Sequence, residues 1–351
     1  MPSSRVLIRL PNWVGDIMMS LPAIQAVRAC FPDAFLVGMA RPEHVELVRR
    51  ISALDKIIPA QSRVGSGQYR AWWKVVRELR MENWQAAVLL APSFEAAFTS
   101  WLAGVSVRVG HTTDHRAYLL THPVSLRSNC HRSDGFLDVV AELGATPLPE
   151  LVPLFLETSD HLSADRLFER AGFELNAKPI FVNPSSTKIP RAWSLDRFNS
   201  LIKQINKRYN GIEIFIYNYP PFNIRSEWLG HQSVKVIEGT SLVELAAVLA
   251  RCSLYIGNDS GPLHIAASFG VPTIGIYGSS SPNQTSPRWV SKAMHLEASA
   301  YFSCSPCRER FFRDCPKPQT ADGRPPCLDS VSVDMVIDQV DYFMGQRVIG
   351  T

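Results

Sequence analysis

The sequence lacks any run approaching the ~20 consecutive apolar residues that a membrane-spanning helix needs. It also lacks a block of like charge. Its 36 basic and 32 acidic residues leave a net charge of +4 that is spread along the chain. Nucleic-acid-binding proteins gather cations on one face, so nucleic acid is not an expected partner. No Gly-x-Gly-x-x-Gly follows the first apolar run, which removes the usual signature of a dinucleotide cofactor. No leader peptide is visible, since Val6–Leu10 reads as a strand, and a cytoplasmic location is expected. Low-complexity tracts and short repeats are absent. Charged residues make up only 19% of the 351 residues and hydrophobic ones 46%, a balance that suits two globular domains with their own cores.

Short β-branched runs alternate with stretches of helical spacing. Val6–Leu10, Phe35–Met39, Lys56–Pro59, Ala86–Leu90 and Val107–Gly110 read as strands. Between them Ile17–Cys30, His44–Arg50, Arg70–Arg80 and Phe94–Ala103 read as helices, and His131–Leu143 follows as another. Pro147, Pro149 and Pro153 then break the pattern, which places the approach to a linker there and a boundary between about 155 and 178. The alternation restarts with Pro179–Pro184 and continues through Glu213–Tyr217, Ser253–Gly257 and Thr273–Tyr277, and Val333–Phe343 reads as a terminal helix. Such alternation predicts an α/β protein whose parallel sheets are covered on both faces.

Four segments carry candidate chemistry. Asn258-Asp259-Ser260-Gly261-Pro262-Leu263-His264 ends one strand and opens a helix. Open α/β sheets bind ligands there, and unpaired amides at a helix start suit a diphosphate. The plainer reading is an N-cap by Asp259 or Ser260. Gly15-Asp16 follows the first strand and offers a carboxylate as a general base, or another cap, as Gly-Asp pairs commonly do. Asn183 to Trp193 offers Ser185, Ser186, Lys188 and Arg191 to phosphate oxygens, or forms a solvated loop around a packed tryptophan. The seven cysteines include a cluster, Cys304, Cys307, Cys315 and Cys327. Cys304-Ser305-Pro306-Cys307 looks like half of a structural zinc site, but the later pair has eleven residues between its members. Thiols in an ordered loop and a facultative disulfide remain open alternatives. The nearby Arg308, Arg310, Arg313, Lys317 and Arg324 could meet an anionic acceptor or form a solvated surface.

Together these segments resemble the bacterial lipopolysaccharide heptosyltransferases of glycosyltransferase family 9. The resemblance is carried by Ile8 to Asp16 with Ser20-Leu21-Pro22, by Lys188 to Trp193, by Asp259 to His264 and by Cys304 to Cys307. The first and last of these are closest to the heptosyltransferase II group. The resemblance implies a GT-B architecture, with two Rossmann-like domains whose parallel sheets face across a cleft. An acceptor-binding domain is expected over 1–160, a donor-binding domain over 175–330, and a helix over 331–351 that packs back on the first domain. It implies inverting transfer of heptose from ADP-L-glycero-β-D-manno-heptose to the inner core of lipopolysaccharide, with no cofactor and no metal in the chemistry. Peripheral contact with the inner face of the inner membrane is a further implication. Asp16 matches the base, and Ser185, Ser186, Lys188, Arg191, Asp259, Ser260, Gly261 and His264 match the donor site. The pattern departs at Asn218–Asn223, where relatives carry a Gly-rich turn followed by acids, and at Arg191-Ala192-Trp193, which has one cation fewer. A transferase using another nucleotide-sugar and a non-catalytic nucleotide-sugar binder are the alternatives.

Overall fold

The computed structural model describes residues 4–60, 68–184, 186, 191–219, 232–288, 292–298, 302, 304–307 and 326–349. The chain divides into two compact units, Met1–Phe155 and Leu156–Thr351.

In the first unit the strands are β1 Arg5–Arg9, β2 Phe35–Ala40, β3 Lys56–Pro59, β4 Trp84–Leu89, β5 Arg108–His111 and β6 His122–Val124. They form one parallel sheet in the order β3-β2-β1-β4-β5-β6. Its helices are α1 Val14–Met19, α2 Leu21–Cys30, α3 Val45–Val48, α4 Gln68–Arg80, α5 Phe94–Leu102 and α6 Arg132–Ala141. The central strands are buried on both faces: Val6, Leu7 and Ile8 of β1 and Ala87, Val88 and Leu89 of β4 are almost inaccessible. That is why they read as unbroken apolar runs rather than alternating ones.

The second unit repeats the plan. Its strands are β7 Ile180–Asn183, β8 Ile214–Tyr217, β9 Val234–Ile237, β10 Leu254–Asn258, β11 Thr273–Tyr277 and β12 Ala293–Glu297, all parallel in the order β12-β11-β10-β7-β8-β9. Its helices are α7 Thr158–Ala171, α8 Leu195–Arg208, α9 Leu242–Leu249, α10 Gly261–Ser268, α11 Pro282–Thr285 and α12 Val333–Ile349. Counted from its own first strand, each sheet has the same doubly wound order, as expected of two Rossmann-like domains. The order reverses between β1 and β4 in one sheet and between β7 and β10 in the other. Ligands of such sheets bind where the order reverses, beyond the carboxyl ends of the strands.

One local expectation changes. Ile17–Cys30 is not one helix: α1 stops at Ser20, whose hydroxyl bonds Ile17 O at 2.7 Å, and Pro22 sits in the first turn of α2. Proline has no amide to give and is tolerated only there. The terminal helix α12 packs into the core of the second unit. Its Val336, Ile337, Val340 and Phe343 pack with Ile180, Trp193 and Ile214. Tyr209 at the end of α8 adds a hydrogen bond to Asp341 Oδ1 at 2.6 Å. Among the described residues no helix is long and apolar enough to cross a membrane.

Candidate functional site

In the first unit, Asp16 lies in the first turn of α1, just beyond β1 and next to the point where the strand order reverses. Its carboxylate is about a quarter exposed and lies 3.5 Å from Arg132 Nε at the start of α6. The loop that delivers it is held from below. Arg9, buried at the end of β1, donates to Asn12 Oδ1 at 2.8 Å and to the carbonyl of Leu10. Burial pushes the Arg9 guanidinium down to about 10, with Glu95 opposing and Arg41 adding to the shift. On the other side His44 Nε2 lies 3.1 Å from Asn12 O. Asn12 is therefore fixed at its side chain and its carbonyl. Trp13 behind it stays 57% exposed, so the bulky residue beside Asp16 faces outward.

A second buried arginine stiffens the neighbouring loop. Arg116 is fully buried and donates to the carbonyls of His111 at 2.8 Å, Ala91 at 2.6 Å and Ser93 at 3.0 Å. Burial lowers it to about 10, against the charge of Asp114. Carbonyl acceptors on several sides let a cation remain in a dry setting.

In the second unit the residues singled out in the sequence converge where β7 and β10 part. Ser260 is the N-cap of α10, yet its side chain makes no capping hydrogen bond. Its hydroxyl instead accepts from Asn183 Nδ2 at 3.0 Å and lies 3.4 Å from the Tyr255 hydroxyl. Ser260 thus holds the cap position without capping through its side chain. In the first turn Pro262 has no N–H and Leu263 N donates to Ser260 O at 3.2 Å, so the Gly261 amide is the candidate donor to a ligand.

Asp259 is 3% exposed and turned into the protein. Its Oδ2 lies 3.1 Å from Arg191 Nη1 and accepts from Thr285 Oγ1 at 3.3 Å, while Oδ1 lies 3.8 Å from His264 Nε2. Burial alone would raise its pKa. His264 alongside and the Arg191 guanidinium outweigh that and hold the carboxyl below its ordinary value. A buried, ionised aspartate would repel a phosphate if it faced one. Here its charge is spent on Arg191 and it positions that cation.

Two asparagines, present in the motifs but given no role by sequence reasoning, hold the site together. Asn258 is fully buried, accepts from Trp193 N at 2.8 Å and donates to Pro184 O at 3.1 Å. Asn183 donates to the Tyr255 hydroxyl at 2.9 Å. Each is the last residue of an apolar strand, and a polar residue closing a fully buried run was the available signal. Gly257 allows this closeness, since a Cβ there would lie 2.8 Å from Asn183 O. Beyond β8, Asn218 donates to Glu238 Oε2 at 2.9 Å. The Cys-Ser-Pro-Cys stretch is seated beside β11: Ser305 Oγ donates to Gly278 O at 2.6 Å. Among the described residues no group of three or more His, Cys, Asp or Glu is arranged to hold a metal. Ser185, Lys188, Cys315 and 220–223 lie outside the described residues, whereas Ser186, Arg191, Asp259, Ser260, Gly261 and His264 lie within them.

Comparison with known proteins gives a consistent result. The profile of glycosyltransferase family 9 (heptosyltransferase) matches residues 72–314. The lipooligosaccharide heptosyltransferase 2 of Haemophilus influenzae is 25% identical over 305 residues, covering 80% of this chain and 85% of that protein. The lipopolysaccharide heptosyltransferase 2 of Escherichia coli is 23% identical, covering 81% and 85%. Among solved structures, the E. coli ADP-heptose lps heptosyltransferase II superposes with a TM-score of 0.76 at 20% identity, over 98% of this chain and 99% of that one. A family 9 glycosyl transferase from Veillonella parvula gives a TM-score of 0.77 at 19% identity, over 98% and 97%. At these identities the structural likeness speaks for the fold, which is the GT-B fold expected from the motifs.

Proposed function

The chain belongs to glycosyltransferase family 9, and on that premise we propose that it moves heptose from ADP-L-glycero-β-D-manno-heptose to the inner core of lipopolysaccharide, with inversion. The observation that carries the donor half is the cluster at the start of α10. There Asp259 holds Arg191, Asn258 and Asn183 hold the two loops, and no side chain caps the helix. A diphosphate would take the Gly261 amide and the Arg191 guanidinium, with Ser185, Ser186 and Lys188 as further proposed contacts. These same groups would stabilise the negative charge that grows on the leaving ADP. Ser260 and His264 are proposed with them at the donor site, where His264 lies beside Asp259 and Ser260 accepts from Asn183.

Asp16 is the proposed base. It would take the proton from the acceptor hydroxyl as that oxygen attacks the anomeric carbon, and Arg132 Nε lies 3.5 Å from the carboxylate. The acceptor is a membrane glycolipid, so the enzyme is expected to work as a peripheral protein at the inner face of the inner membrane. The test is Asp16→Asn, assayed for transfer to defined core acceptors and, separately, for ADP binding. Transfer should fall by about 10²–10⁴-fold, the span of a general base, with ADP affinity unchanged. Turnover near wild type would remove Asp16 from the chemistry, and a wild type that binds ADP-heptose without turning it over would make the protein a binder.

A further inference from the structure

Helix α4 carries three parallel stripes. Trp72, Val76 and Leu79 are buried against the sheet. Next to them, spaced one helical turn apart, Tyr69 is 58% and Trp73 38% exposed. Beyond these lie the exposed Arg70, Lys74 and Arg77. Trp72 is pinned inward by its indole bond to Thr99 Oγ1 at 2.9 Å, and this forces its neighbour Trp73 outward.

The aromatic stripe does not stop at α4. Trp72 stacks on Phe98 of α5 at 6.0 Å, Phe98 on Trp101 at 5.9 Å, and Phe94 meets Tyr118 at 6.4 Å. Trp101 is 49% and Tyr118 74% exposed. A monomeric surface rarely gathers four large exposed aromatic rings on one continuous base of packed rings. Indole and phenol rings of this kind settle at the headgroup level of a bilayer, apolar body down and polar edge up. The charge on α4 is mostly basic: it holds Arg70, Lys74, Arg77 and Arg80 against one acidic residue, Glu78, which lies 3.9 Å from Lys74. Glu95 on α5 and Asp114, whose carboxylate accepts from Phe94 N, are further acids near the stripe.

We propose that this α4–α5 face docks on an anionic phospholipid bilayer, with Tyr69, Trp73, Trp101 and Tyr118 entering the headgroup layer and Arg70, Lys74 and Arg77 meeting lipid phosphates. Helices α1, α4 and α5 all return from the carboxyl edge of the same parallel sheet. Asp16, Tyr69 and Phe94, in their first turns, therefore lie toward one edge. Docking would bring the proposed base to the plane in which a glycolipid acceptor presents its sugars. The inference deepens the proposed function and rests on it only for that last point.

The experiment is co-sedimentation of the full chain with phosphatidylethanolamine–phosphatidylglycerol vesicles and with phosphatidylcholine vesicles. It uses wild type, the pair Trp73→Ser with Trp101→Ser, and the triple Arg70→Glu, Lys74→Glu, Arg77→Glu. Wild type should prefer the anionic vesicles, and each variant should lose about tenfold or more in partitioning. Melting temperature, ADP binding and transfer to a soluble deacylated acceptor should stay as in wild type. Failure of wild type to sediment with anionic vesicles, or equal sedimentation of the variants, overturns the proposal. So does a wild-type dimer that the tryptophan pair dissolves, since the face would then belong to a second copy. Vesicle binding that follows the proposal without any heptose transfer would leave the surface standing and remove the proposed function instead.

Discussion

Replacing Asp259 by asparagine removes a charge and keeps the shape. The carboxylate is buried against Arg191, whose side chain is 20% exposed. Breaking a fully buried pair by deleting one partner costs about 3–5 kcal/mol. Arg191 can still reach water, which reduces the expected loss to about 2 kcal/mol. For a unit of this size that corresponds to roughly 4–8 °C in melting temperature. Urea unfolding followed at several pH values gives a sharper reading than one melting curve. Asp259 is held below its ordinary carboxyl value in the folded protein. The folded state thus binds its proton less tightly than the unfolded chain, and the contribution is complete above the unfolded value of about 3.9. It is lost only as acid carries the solution down through the lowered folded value. The gap between wild type and Asp259→Asn should therefore stay constant from pH 8 to 5 and close below about 4. ADP affinity should fall as well, because Arg191 loses its orienting partner. A stability loss under about 0.5 kcal/mol would refute the reasoning, because a surface ion pair is worth that little. A gap that varies between pH 6 and 7 would refute it too, since a histidine would then be the titrating group.

Gly257→Ala places a methyl group 2.8 Å from Asn183 O and 2.9 Å from Asn183 Cβ, where backbone must give way. It is expected to cost about 1–3 kcal/mol in urea unfolding and to weaken ADP binding; a neutral result would show that β7 and β10 part easily. Tyr209→Phe removes the 2.6 Å bond to Asp341 and should cost about 1 kcal/mol. Burial, then the bond and charge of Asp341, push the Tyr209 hydroxyl up to about 12. Its contribution is therefore whole below pH 10 and lost as pH rises toward 12, so alkaline unfolding curves of the two proteins should converge there.

Much of the architecture was legible because interior strands of a doubly wound sheet are apolar from end to end. The strands that sequence reasoning passed over are β6, β9 and β12, and all three are sheet edges. His-Pro-Val, Val-Lys-Val-Ile and Ala-Met-His-Leu-Glu carry a proline, a lysine or a histidine because an edge has only one protected side. The break at Ser20 is signalled in the sequence by Pro22, which suits an early helical position or a kink, whereas the Ser20 hydroxyl folding back on its own helix is not readable from spacing. In the site, the motif around Asp259 was recognisable, but its meaning was not. Local spacing can announce a cap or a phosphate loop, whereas the contacts of Asp259 with Arg191 and Thr285 join residues 68 and 26 positions away. Asn258 and Asn183 act in the same way, across strands that are adjacent only after folding.

Trp193 sits at a junction between two regions that look unrelated. Its backbone amide is held by Asn258 at 2.8 Å and its indole by Val331 O at 2.9 Å, just ahead of α12. The end of β10 and the lead-in to the last helix thus hold one residue, the first by its backbone and the second by its indole. A lesion that loosens α12 should therefore be felt as a slackened nucleotide loop. For anyone engineering the protein, an edit or fusion near α12 is an intervention in the donor site.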